Sequence, residues 1–155
     1  MVASETGMAK QSSTAEIWAK RLAYLGLAPM IGCVAGLWFG DNPMLVPLFI
    51  YFSAIILSFM AGTLWGALIP LVERTPQATL TLFLTNGVAL SAWAVLLLDP
   101  VSAVITLFIG FALILAFESR LAVGEQFPDW YHKLRRRLTA IVLGLHVLYG
   151  FALFR

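Results

Sequence analysis

Long apolar stretches alternate along this chain with short polar connections that contain helix-breaking residues. Between Leu22 and Leu98 the only ionised residues are Asp41, Glu73 and Arg74. About 20 helical residues cross roughly 30 Å of hydrocarbon, so the pattern predicts five transmembrane helices. Their predicted bounds are 22–39, 44–70, 79–98, 101–117 and 138–154. Because the connections are short, we expect an all-α polytopic membrane protein whose five helices form an up-and-down bundle.

Composition excludes the soluble classes of protein. Hydrophobic residues make up 61% of the chain and charged residues 12%, whereas soluble domains carry about 25% charged residues. Soluble enzymes, secreted scaffolds, coiled coils and disordered chains are therefore excluded. Residues 1–21 are polar and are predicted to form a cytoplasmic segment before the membrane domain, residues 22–155. Residues 15–19 are compatible with a short interfacial helix.

Lysine and arginine are concentrated on one side of the predicted bundle. Nine of the ten lie in the N-terminal segment or in the second-to-third and fourth-to-fifth connections, and Arg155 is the exception. This bias predicts a cytoplasmic N-terminus and a C-terminus on the opposite side. In a bacterium the membrane would be the inner membrane, with a periplasmic C-terminus, and in a eukaryote the mitochondrial inner membrane. A net charge of +2 does not indicate a nucleic-acid partner.

Three sequence motifs resemble a known family. Residues 25–29 read LGLAP, residues 54–66 read AIILSFMAGTLWG, and residues 128–139 read PDWYHKLRRRLT. Together they resemble the bacterial family known as domain of unknown function 3429, which also has a mitochondrial member. The resemblance covers residues 22–154 and implies a five-span inner-membrane protein. It implies no established activity.

Polar side chains inside membrane helices are the first candidates for a functional site. Counted from the predicted helix ends, Thr63, Asn86 and His146 all lie roughly 10–12 Å from the cytoplasmic side. We therefore predict a polar layer in which His146 is the titratable member. Two interpretations remain open: hydrogen bonds that join the helices, or a site for a ligand or proton.

Catalytic and cofactor chemistry lacks support in the sequence. His146 is the only histidine at the predicted membrane depth, since His132 lies in a connection, so we expect no bis-histidine haem. The single cysteine, Cys33, excludes an intramolecular disulfide and a thiolate metal site. Because no carboxylate pair, metal-ligand spacing or nucleophile–base pair is present, we predict no catalytic residue, metal or cofactor.

Charged and aromatic residues cluster at the junction between the fourth and fifth predicted helices. Antiparallel neighbours would bring the acidic and basic members together. One interpretation is a structural ion pair, and the other is a site for phosphate or anionic lipid headgroups. The aromatic members would anchor the junction in the headgroup zone. The cluster consists of Glu118, Arg120, Trp130, Tyr131, Lys133, Arg135, Arg136 and Arg137.

Small residues recur every fourth position in the first two predicted helices. The first stripe consists of Gly32, Gly36 and Gly40, and the second of Ser58, Gly62 and Gly66. Because small residues let helices approach closely, we predict that the stripes pack these two helices together. A homodimer seam and a groove for a partner helix are the alternatives. Pro29 is expected to kink the first helix.

The lack of a catalytic constellation favours a non-catalytic accessory or assembly partner of a larger membrane complex. Such a protein would contact membrane lipids and other transmembrane helices, within a homodimer or a larger complex. The alternative function is a small transporter or a binder of a hydrophobic ligand, either a quinone or a lipid. That function would use the polar layer around Asn86 and His146.

Overall fold

The computed structural model describes residues 2–40, 42–73, 75–120 and 127–154, with side chains from Thr14 onward except that of Arg120. Within these ranges the chain forms six α-helices. They are α1 (Val2–Leu25), α2 (Ala28–Phe39), α3 (Leu45–Leu68), α4 (Pro76–Ala94), α5 (Pro100–Arg120) and α6 (Asp129–Leu153). A short 3-10 helix extends α3 through Ile69–Leu71, and another extends α4 through Val95–Leu97.

Five segments of the described chain are long and apolar enough to cross a membrane. They are Thr14–Phe39, Leu45–Leu71, Pro76–Leu97, Pro100–Ser119 and Asp129–Leu153. The predicted fold class, an all-α bundle of five membrane-spanning segments, is confirmed. The middle three segments begin and end close to the predicted bounds, because proline and acidic residues interrupt the apolar pattern there.

The first membrane span is made of two helices rather than one. Helix α1 begins at Val2, well before the predicted start at Leu22, and the 15–19 segment is part of it. The chain turns at Gly26 and Leu27, and Pro29 lies in the first turn of α2. Proline has no backbone N–H to donate, and the first turn is where a helix tolerates this. The kink predicted at Pro29 is therefore a boundary between two helices.

The last helix starts at Asp129 and not at the predicted Leu138. Pro128 occupies the N-cap position with an extended backbone, and Asp129 lies in the first turn, where a negative charge interacts favourably with the helix dipole. The basic junction is thus the first part of α6. The prediction was wrong here because charged residues do not end a helix when most of them face outward.

Helix α3 lies at the centre of the bundle and packs against α2, α4 and α5. Helix α6 packs against α5 and α2, so α2, α3, α5 and α6 close into a ring, and α4 lies outside against α3 and α5. Consecutive helices are neighbours, as the short connections predict. Large side chains fill the ring and are fully buried, among them Phe49, Leu57, Leu107, Phe111 and Tyr149.

The tight contact between α3 and α5 depends on a glycine that the sequence analysis did not single out. A Cβ atom on Gly110 would lie 2.5 Å from Cδ2 of Leu57, a distance that side chains do not tolerate. Gly110 therefore lets α5 approach α3 closely.

The two small-residue stripes do not face each other. Gly36 does contact α3, because a Cβ atom there would collide with Leu45. Gly32, Gly62 and Gly66, in contrast, are exposed and have open space where a Cβ atom would be. A Cβ atom on Gly40 would meet only the carbonyl oxygen of its own helix, at Gly36. Helices α2 and α3 do pack together, as predicted, but of the glycines in the two stripes only Gly36 meets a side chain of the other helix. A four-residue spacing defines a helix face without defining which neighbour it meets.

Candidate functional site

A buried arginine organises the end of the bundle where α6 begins, which we call the junction end. Arg135 is 9% exposed and forms an ion pair with Glu118 of α5. Its Nη1 donates to the hydroxyl oxygen of Thr63 on α3 at 2.8 Å and to the hydroxyl oxygen of Tyr131 at 3.1 Å. We call these four residues the arginine cluster. It joins α3, α5 and α6.

Local structure prepares each member of the arginine cluster for its contact. The hydroxyl of Thr63 donates to the carbonyl of Met60 at 2.8 Å, as threonine commonly does within a helix, which leaves its oxygen lone pairs for Arg135. The side chains of Arg135 and Glu118 are 11% and 12% exposed. Burying two charges is costly, and the mutual attraction together with the added hydrogen bonds offsets that cost.

Aromatic rings surround the arginine cluster and connect it to α1. Phe127 stacks on the ring of Tyr131 with a centroid distance of 4.7 Å, and Trp130 meets the same ring edge to face. The ammonium group of Lys20 on α1 lies 5.5 Å from the ring centroid of Trp130 and also pairs with Glu16. This cation–π contact fastens α1, which otherwise touches the bundle sparsely, to α6.

A cavity of about 330 Å³ lies beside the arginine cluster, between α1, α2, α3 and α6. Its walls are mostly apolar, and Tyr131 and Arg135 contribute the main polar side chains at one end. Apolar wall residues include Leu22, Ala23, Met30, Met60, Leu134 and Leu138. The volume falls within the range of roughly 300–1,000 Å³ that is typical of small-molecule sites.

The structure does not bring the three predicted polar-layer residues together. Thr63 belongs to the arginine cluster, whereas Asn86 is exposed on α4 and its amide lies 3.4 Å from the carbonyl of Leu82 on the same helix. His146 is 2% exposed and sits far from both. Because α6 begins at Asp129, His146 lies roughly 25 Å along that helix, which places it deeper than the sequence count implied.

His146 is part of the aromatic core toward the other end of the bundle. Its ring lies between Phe49 and Phe111, at centroid distances of 5.0 and 5.3 Å, and its Nδ1 lies 2.8 Å from the carbonyl oxygen of Val142. Tyr149 stacks on Phe49 with a centroid distance of 4.2 Å. His146 does not line the cavity beside the arginine cluster.

The predicted junction cluster divides into a buried and an exposed group. Arg135 and Glu118 form the ion pair expected between the fourth and fifth spans, and Trp130 and Tyr131 pack around it. The side chain of Arg120 lies outside the described residues. The remaining members face away from the bundle interior, and these exposed cations are Lys133, Arg136 and Arg137.

The sequence analysis missed two contributors to this site, Thr63 as a partner of Arg135 and Lys20 as a partner of Trp130. A signal for an inward polar face on α6 was present. His132, Arg135, Thr139 and His146 recur at spacings of three, four and seven, which places them along one side of a helix.

The arrangement places a paired charge and a hydrogen-bonded phenol beside an apolar cavity. The guanidinium of Arg135 is paired with the carboxylate of Glu118. The phenol of Tyr131 accepts a hydrogen bond from Arg135 and retains its own proton to donate at the cavity wall. In the part of the chain that the structure describes, no three side chains of His, Cys, Asp or Glu form a group that could hold a metal ion.

These features define an integral membrane protein built as a five-span helical bundle with a partly open apolar cavity. Residues 15–151 match the family described as "Protein of unknown function (DUF3429)", and the chain belongs to that family. It is 31% identical over 136 residues to Transmembrane protein 69 of Xenopus tropicalis, which covers 80% of this chain. The chain spans about half, 51%, of that relative's length. No solved structure matches it significantly.

Proposed function

We propose that this protein is a non-catalytic binding protein that holds a lipid-like ligand inside the membrane. The observation that carries the proposal is the apolar cavity of about 330 Å³ with Tyr131 and Arg135 at one end. An apolar pocket with a few convergent polar groups suits a ligand with a hydrocarbon body and an oxygenated head. The sequence also offered a binder of a hydrophobic ligand as the alternative function, with its site at Asn86 and His146. The present proposal keeps that function and assigns it to the cavity beside the arginine cluster.

The test is native mass spectrometry of the protein extracted gently into lipid nanodiscs. We expect the wild-type chain to carry a small molecule of defined mass. Ala23→Phe adds a ring to the cavity wall and should release that molecule, whereas Ala140→Phe adds the same ring on an exposed face of α6 and should retain it. Equal ligand occupancy in the two variants would contradict the proposal.

A second function, the accessory or assembly partner, is supported by a different face. Gly62 and Gly66 leave an open surface on the outer side of α3, between the exposed rings of Phe59 and Trp65. A flat helix face of this kind permits close approach of another transmembrane helix. Gly62→Leu should then dissolve any larger assembly seen in the same spectra, and Gly87→Leu, an equally open position on α4, should not. Unchanged assemblies in both variants would contradict this second function.

We also propose that the junction end faces the cytoplasm, or the mitochondrial matrix in a eukaryote. The exposed Lys133, Arg136 and Arg137 at this end support the proposal, since positive residues stay on that side and attract anionic lipid headgroups. Replacing the single cysteine, Cys33→Ala, provides a background for labelling. A membrane-impermeant maleimide should then modify Asn42→Cys in intact cells and Lys133→Cys only after permeabilisation. The opposite pattern would reverse the orientation.

A further inference from the structure

We infer that the cavity selects a neutral ligand whose head is a hydrogen-bond acceptor of the carbonyl type. This inference rests on the proposed ligand-binding function. The Tyr131 hydroxyl donates to that oxygen, and Arg135 acts behind it as a positioning residue. The shared chemistry is a quinone or ester carbonyl on an apolar tail. Three features of the cavity carry this inference: its charge balance, the hydroxyl donor of Tyr131 and its apolar wall.

The charges beside the cavity are already paired. Arg135 is neutralised by Glu118, and Lys20 is paired with Glu16 on the same helix. An anionic head beside Arg135 would also lie near the Glu118 carboxylate, so attraction and repulsion would oppose each other while the full desolvation cost remained. The exposed cations of α6, Lys133, Arg136 and Arg137, are not among the residues that line the cavity. A neutral head avoids this cost.

Tyr131 supplies a hydrogen-bond donor at the cavity wall. Its hydroxyl oxygen accepts from Nη1 of Arg135 at 3.1 Å, and among the described residues no acceptor takes its proton. A hydroxyl that accepts from a cation is polarised and becomes a stronger donor. Stacking on Phe127 with an interplanar angle of 28° holds the ring in place. The hydroxyl is therefore preorganised for an acceptor oxygen.

The rest of the cavity suits a hydrocarbon tail. Met30 of α2 and Met60 of α3 form part of the wall, and the flexible thioether side chain adapts to irregular apolar shapes. Leu134 and Leu138 of α6 continue the apolar wall along the helix. An oxygenated head placed away from Trp130, Tyr131 and Arg135 would lose its hydrogen bonds to water without replacement.

The experiment measures binding of four probes to the purified full chain in nanodiscs. Decylubiquinone has quinone carbonyls, 1-oleoylglycerol has an ester carbonyl, oleate is anionic, and pentadecane has no acceptor. We expect at least one carbonyl probe to bind more tightly than oleate and pentadecane. Tyr131→Phe should weaken that binding about 3–10-fold, the effect of one lost hydrogen bond. Tyr51→Phe, on the exposed side of α3, should leave it unchanged.

The outcomes separate the head-group inference from the proposed function. Preference for decylubiquinone over 1-oleoylglycerol supports a quinone, and the reverse preference supports an ester lipid. Tightest binding of oleate, or equal affinity in wild type and Tyr131→Phe, overturns the inference while ligand binding itself stands. If none of the four probes binds, both the inference and the proposed function fail. The affinities of the four probes are ranked on the wild-type chain. This ranking therefore tests the inference even if Tyr131→Phe does not fold.

Discussion

Arg135 of α6 pairs with Glu118 of α5 in a position where only 11% and 12% of the two side chains is exposed. The pair is electrically neutral as a unit, and Thr63 and Tyr131 accept hydrogen bonds from Nη1 of the arginine. The free energy of burying each charge therefore depends on the presence of the other. Their mutual dependence can be measured, since breaking a buried pair costs far more than replacing both partners.

Arg135→Gln should destabilise the protein by about 3–5 kcal/mol, because it leaves the Glu118 carboxylate buried without a counter-charge. The double variant Glu118→Gln/Arg135→Gln should recover part of that loss. Thermal unfolding in detergent measures both, and Arg136→Gln, at an exposed position of α6, is the matched control with little expected change. A double variant no more stable than Arg135→Gln would show that the two charges are not coupled.

Gly110→Ala should destabilise the contact between α5 and α3, because its Cβ atom would overlap the fully buried Leu57. Overpacking of this kind costs about 1–3 kcal/mol. Adding Leu57→Val should relieve the overlap, so the double variant should lose less than the sum of the two single losses in thermal unfolding. Gly144→Ala, where the added atom meets nothing within 4 Å, serves as the control. Equal losses for Gly110→Ala and Gly144→Ala would argue against a close helix contact.

His146→Phe should fold and should bind the cavity ligand with unchanged affinity. His146 packs between Phe49 and Phe111, where another aromatic ring fits, and it does not line the cavity. The same binding measurement used for Tyr131→Phe provides the comparison. If His146→Phe folds but no longer binds the ligand, the functional site would instead lie at the polar residues predicted from the sequence.

Asp99 should stabilise the start of α5 at neutral pH and lose this effect in acid. Its Oδ1 accepts from the backbone N–H groups of Val101 and Ser102, both at 3.1 Å, and its hydrogen bonds to Ser102 hold its pKa below the ordinary value. A lowered carboxyl pKa stabilises the folded state above the unfolded pKa, and this contribution disappears as the pH falls below about 4. Asp99→Ala should therefore lower Tm at pH 7, with the difference from wild type shrinking in acid.

The matched control for Asp99 is Asp99→Asn, which keeps an acceptor oxygen at the start of α5 but does not titrate. Its Tm should lie above that of Asp99→Ala at pH 7. Should Asp99→Ala instead retain the full acid dependence of the wild-type Tm, another group must be responsible for it.

The span pattern was predictable because lipid imposes it directly on the sequence. Apolar runs of about 20 residues must cross the bilayer as helices, and Asp99 and Pro100 mark a connection that hydrocarbon excludes. The ion pair between the fourth and fifth spans was predictable for a similar reason. Antiparallel neighbours bring the basic residues before the fifth predicted span, among them Arg135, close to Glu118 at the end of the fourth.

The rotation of each helix about its axis was not predictable. In a soluble protein the apolar side of a helix marks the core, but in lipid both sides are apolar, so the sequence of α4 does not show that Asn86 faces outward. Helix α6 is the exception, because its polar residues, including His146, recur along one side. The depth of His146 in the membrane was also predicted incorrectly, because the positively charged first turns of α6 resemble a connection between helices in the sequence. The cavity depends on where the turn at Gly26 places α1, which no local sequence rule determines.

The buried pair also bears on how the chain enters the membrane during synthesis. Helix α6 is the least apolar of the five membrane-spanning segments, and an arginine within a span makes its insertion less favourable. Glu118 can offset that cost only when α5 already lies beside the incoming segment. We therefore expect stable integration of the final span to depend on its predecessor.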